Sequence, residues 1–68
     1  MTTTAHLVRR ARIARGWTQT VLAANLGMTQ SYVSRLESGI YEPSIIALRR
    51  IAGALGVQAR DLLGDESC

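Results

Sequence analysis

Apolar positions along this chain recur at helical rather than strand spacing. Between Thr4 and Arg15 the residues Leu7, Ala11 and Ala14 fall four and three apart, with Val8 beside them, as one face of a helix requires. Ile13 points away from that face. Thr4 is the expected N-cap and Gly16 the stop. Trp17, in a chain with no phenylalanine, is expected to pack on this first helix as a large core piece. A second helix, capped by Thr18, turns Leu22, Ala23 and Leu26 inward and ends at Gly27. Met28 and Thr29 make a turn, and Thr29 caps a third helix with Val33 and Leu36 inward and Gly39 as its stop. Both helices are under three turns long, so each depends on tertiary packing.

After a loop from Ile40 to Pro43, Ser44 caps a fourth helix expected to bury Ile45, Leu48, Ile51, Ala52 and Leu55 before Gly56, with Gly53 on its outer face. A last short helix, Gln58 to Leu63, offers Leu62 and Leu63 to the core. No segment alternates with period two over a useful length, so the expectation is an all-α fold of five short helices. It forms one domain over 1–68, with a folded core at 3–63 and a frayed tail at 64–68.

Size and composition narrow this further. A chain of 68 residues with 47% hydrophobic and 19% charged residues is globular, and near the lower limit for a core without staples. No apolar run approaches the roughly 20 residues of a membrane helix. The opening MTTTAHLVRR lacks the regions of a signal peptide, so a cytoplasmic location is expected. A single cysteine, Cys68, has no partner for a disulfide or a metal site. The net charge of +3 and a pI near 10.0 suit a polyanionic partner. All eight cations are arginine, a bias that a GC-rich genome also produces.

For catalysis the residues offer little. One histidine, one cysteine and five scattered acids form no triad or ligand spacing, and there is no phosphate-cradling glycine loop. No enzymatic activity, cofactor or metal is expected, and no small-molecule ligand is evident. The stretch Gln19–Glu37 is more informative. Two short helices joined at a glycine form a unit whose second helix can enter the major groove of DNA. Gln30 and Ser31 occupy the first turn of that second helix, and Arg35 follows one turn after Ser31 on the same face. Glutamine can pair with adenine, arginine with guanine, and serine can donate or accept. Gln19, opening the first helix of the pair, would lie over the sugar-phosphate backbone, where its amide and the free helix-terminal N–H groups can donate.

These residues carry a resemblance. From Val8 to Leu63, through VRRAR, GWTQ, LAANLGMTQ, VSRLESG, PS and IAGALGVQARDLL, the chain resembles the lambda-repressor-like helix-turn-helix domain of the Cro and CI type, the XRE family. The resemblance implies a five-helix domain that binds double-stranded operator DNA, usually as a homodimer on a palindrome. It implies base contacts from Gln30, Ser31 and Arg35, and phosphate contacts from Gln19 and its neighbours, Thr18 and Tyr32 among them. It also implies an ion pair between Arg12 and Glu37. The chain departs from the family in the loop Ile40–Tyr41–Glu42, where basic or polar residues are usual; there Tyr41 can donate to a phosphate or serve in packing. Ile13, Val21 and Ile46 stand where the family is usually polar. Ile46, Arg49, Arg50 and Gly53 make an outer stripe on the fourth helix, so Ile46, with Val57, is a candidate dimer contact. The expected function is a bacterial or phage transcriptional regulator, repressor or activator. The alternative is a protein-interaction module on the same fold, such as an antitoxin or accessory factor.

Overall fold

The computed structural model describes residues 3–63; the expected fraying of 64–68, and Cys68 with it, lies outside them. Four α-helices follow in order: α1 (Thr4–Ala14), α2 (Gln19–Leu26), α3 (Gln30–Glu37) and α4 (Ile45–Leu55). There is no strand among the described residues. The fifth helix is instead a single 3-10 turn, Ala59–Leu62. Its bonds run three residues back, Asp61 N to Gln58 O and Leu63 N to Arg60 O. The Asp61 carboxylate closes the turn by accepting from Gln58 N at 3.1 Å. Four residues between an extended Gln58 and an extended Leu63 are too few to build the α ladder.

Every α-helix is entered through a hydroxyl. The side chains of Thr3, Thr18, Thr29 and Ser44 each accept from the amide three residues on, at 3.1 to 3.2 Å, satisfying donors the helix cannot pair itself. The cap of α1 is thus Thr3, one residue before the expected Thr4, because Thr4 already has helical geometry. The turn between α2 and α3 depends on Gly27, whose φ of 69° is left-handed. With Gly27 so placed, Met28 N reaches Ala23 O at 2.9 Å and the chain reverses in three residues.

The core runs through every element. Val8 of α1, Leu22, Ala23 and Leu26 of α2, Val33 and Leu36 of α3, Leu48, Ile51, Ala52 and Leu55 of α4, and Leu62 of the last turn are all buried together. Trp17, half-buried, packs against them, and the Arg15 guanidinium lies 4.5 Å from its ring centroid. α2 rests on α3 and α4, while α1 spans α3, α4 and the 3-10 turn.

Three residues expected inside lie outside. Ala14 is exposed because the inner face of α1 is centred on Val8 and Arg12, about one position from the purely apolar stripe. Ile45, first residue of α4 and three before the buried Leu48, is 61% exposed. Leu63 is 49% exposed, because the chain turns extended there and only Leu62 faces the core.

Candidate nucleic-acid interface

α3 has one apolar and one polar side. Val33 and Leu36 are fully buried, which sets the rotation of the helix and leaves Gln30, Ser31 and Arg35 exposed on one continuous surface. The Thr29 cap and the Gly27 turn fix where its N-terminus points.

One flank of this face is held by a chain of hydrogen bonds that ties α1, α2 and α3. Arg12 donates through Nε to Glu37 Oε2 at 2.7 Å, through Nη2 to Glu37 Oε1 at 3.0 Å, and through Nη1 to the Trp17 carbonyl at 2.7 Å. Glu37 Oε1 also accepts from Gln19 Nε2 at 3.2 Å, and Gln19 Oε1 accepts from Gln30 Nε2 at 2.6 Å. Both side chains of the ion pair are withdrawn from water, at 11% and 3% exposure. The carboxylate can only accept, so the Gln19 amide must turn its nitrogen toward Glu37 and its oxygen toward Gln30. Gln30 in turn spends one N–H on Gln19 and presents its Oε1 and remaining N–H outward. That pair is what a bidentate contact to adenine uses.

The other flank is different in kind. Met28, Ile40 and Tyr41 border a groove that Ser31, Tyr32 and Arg35 share. The rings of Tyr32 and Tyr41 meet edge to face, centroids 5.1 Å apart, with the Tyr41 hydroxyl 3.5 Å from that of Tyr32. Behind them Arg50 of α4 donates through Nη2 to the last carbonyl of α2, Leu26 O, at 3.2 Å. Arg50 therefore leaves the outer stripe it was expected to share with Ile46 and turns toward the helix pair. Neither the composition nor the helical period of α4 marks this; only the end of α2 arriving beside it does.

The Tyr32 hydroxyl is pushed up from 10.0 to about 12, first by burial and then by the hydrogen bond and charge of Tyr41, with Arg50 opposing. It stays protonated at neutral pH and keeps a proton to donate. Because the folded state holds that proton more tightly than the unfolded chain, its stabilisation is complete below pH 10 and is lost as pH rises toward about 12. The melting temperature is therefore expected to fall across that window, and to fall less steeply in Tyr32→Phe. Parallel melting curves for the two proteins would rule this out.

Of the remaining candidates, Thr18 is committed through its oxygen to Val21 N, and its O–H stays available. Ile46 is 72% exposed, as are its stripe neighbours Arg49 and Gly53 to varying degrees, whereas Val57 is half-buried against the core. Among the described residues no helix is long and apolar enough to cross a membrane.

Two short helices in tight sequence, the first bracing a polar face on the second, define a helix-turn-helix module. The helix-turn-helix family matches residues 8–62, and the chain belongs to it, in its XRE, lambda-repressor-like group. It is 35% identical over 60 residues to the immunity repressor protein of Bacillus phage phi105, covering 88% of this chain and 42% of that one. The chain thus spans less than half the length of that repressor. Among solved structures, the restriction-modification controller protein C.AhdI from Aeromonas hydrophila superposes with a TM-score of 0.83 at 32% identity, covering 88% of this chain and 87% of that one. FeII HppE in complex with substrate superposes with a TM-score of 0.89 at 30% identity, covering 97% of this chain but 38% of that one. The same bundle therefore also occurs as part of a longer chain.

Proposed function

We propose that this chain is a transcriptional regulator that binds double-stranded DNA sequence-specifically, as a homodimer on a palindromic operator. The observation that carries the reading is the outward polar face of α3, with Gln30 held in one orientation by Gln19, Glu37 and Arg12. Gln30, Ser31 and Arg35 meet base edges. Thr18 and the unpaired amides opening α2 meet a phosphate, joined by the second N–H of Gln19. The similarity to a phage immunity repressor and to a restriction-modification controller supports the regulatory role. In gel shifts with fragments around its own promoter, the protein should form a salt-sensitive complex that a random duplex of equal length does not match. A folded protein with no such preference would favour the protein-interaction role.

The dimer is formed through an isologous contact centred on Ile46, with Val57 at its edge. A side chain this apolar and this exposed, 72%, at the start of α4 is otherwise unsupported. Ile46→Glu would set two carboxylates against each other across the two-fold axis. In sedimentation at micromolar concentration the variant should run as a monomer while the parent runs as a dimer. An unchanged dimer mass would remove Ile46 from the interface.

A further inference from the structure

A helix lying in the major groove meets a phosphate backbone on each side, since the groove, about 12 Å wide, is filled by a helix of about 10–12 Å. On the Gln19 side of α3 the partners for one strand are plain. For the opposite side we propose that Arg50, together with the hydroxyls of Tyr32 and Tyr41, forms a seat for a phosphodiester of the second strand. This rests on the DNA-binding reading above and adds to it a charged contact from the middle of α4.

Several observations converge on that corner. Tyr32, Tyr41 and Arg50 line one pocket, walled by Leu26, Met28 and Ile51. Its volume, about 180 Å³, is below the roughly 300–1,000 Å³ of pockets that enclose drug-sized ligands, and suits a group of a few heavy atoms. The groove next to it is lined by Ser31 and Arg35, and the two cavities share Met28, Tyr32 and Tyr41. An anion in the seat would therefore lie beside the base-reading surface, on the side of α3 away from Gln19.

The donors suit a phosphate. Arg50 spends Nη2 on Leu26 O, which anchors the guanidinium and leaves its other N–H groups for a second acceptor. Tyr41 directs its hydroxyl at that of Tyr32 over a long 3.5 Å, a bond readily exchanged for a charged acceptor. Tyr32 remains protonated well above neutral pH. One cation and two phenols able to donate, beside apolar walls, suit an anionic acceptor.

The test compares the full chain with Arg50→Met, which keeps the length of the side chain, and with Tyr32→Phe/Tyr41→Phe, which keeps the rings. Affinity is measured against salt on an operator-containing duplex and on a random one. Arg50→Met should flatten the slope of log K against log salt by about 0.9 for each subunit, about 1.8 for the dimer, and weaken both duplexes alike, by about thirtyfold at 0.15 M salt. The double phenylalanine variant should weaken both duplexes with an unchanged slope, because it removes no charge. Methylphosphonate at the contacted position should weaken the parent more than it weakens Arg50→Met.

An Arg50→Met protein that melts lower but binds with the parental slope and affinity would mean that Arg50 only caps α2, and would overturn the proposal. A saturable, Arg50-dependent rise in melting temperature with inorganic phosphate, beyond that in chloride of equal ionic strength, together with a parental DNA slope in Arg50→Met, would assign the seat to a free anion and likewise overturn the proposal. If the parent binds no duplex at all, the DNA-binding reading fails and this inference with it. A parent that binds while Arg50→Met keeps its slope sinks only the inference.

Discussion

Glu37→Ala should cost the domain about 3–5 kcal/mol, because removing one member of a buried ion pair leaves the other charge without compensation. Arg12 would keep its bond to the Trp17 carbonyl and lose both of those to Glu37. Gln19 would lose the acceptor that orients its amide. Small domains begin with only about 5–15 kcal/mol, so at a slope of about 1 kcal/mol per molar the urea midpoint should fall by about 3–5 M. Replacing both partners, Arg12→Met with Glu37→Leu, should recover most of the loss, since no unpaired charge remains. The recovered protein separates stability from function. It should fold, yet discriminate less between operator and random DNA, because nothing now sets the direction of Gln19 and hence of Gln30. A Glu37→Ala penalty below about 1 kcal/mol, the range of exposed pairs, would show that the pair is not withdrawn from water in solution.

The second large effect concerns base reading. Gln30→Ala and Arg35→Ala should each cost about 1–3 kcal/mol per half-site of the operator, roughly 5- to 150-fold in affinity for each half, and relax preference at one base position per half-site. Both side chains are exposed and make no contact with the core, so thermal stability should hardly change. Gln30→Ala carries no charge change and should leave the salt dependence intact. Arg35→Ala will also lose some attraction for any duplex, and the informative quantity is the extra loss on the operator. Equal losses on operator and random DNA would remove Arg35 from the base-reading set and make it a backbone contact.

Much of this architecture could be read from residue order. Period and caps located all four α-helices, because Thr18, Thr29 and Ser44 precede apolar residues at helical spacing and Gly16, Gly27, Gly39 and Gly56 close them. The errors fell where apolar spacing is a poor guide. Arg12, a charged residue, sits on the inner face of α1, so counting only apolar residues displaced that face toward Ala14. Ile45 has the spacing of a core residue yet opens α4 exposed, and spacing alone does not show how far along a helix cover extends. The last turn is too short for period to distinguish an α-helix from a 3-10 turn. Gln30, Ser31 and Arg35, the proposed base contacts, are nameable from residue type and position, and all three are exposed on α3. The bond from Gln30 to Gln19, 11 positions apart, and the bond from Arg50 to Leu26, 24 apart, that brings Arg50 to the two tyrosines exist only once the helices are packed.

The central claim, that the α3 face reads DNA sequence in a two-fold arrangement, is tested most directly by selecting bound sites from a pool of random duplexes. Enrichment of an inverted repeat is expected, with half-sites separated by about one helical turn, roughly 34 Å centre to centre, and preference at one position in each half should be lost when Gln30→Ala is used instead. A bound pool indistinguishable from the input would contradict it.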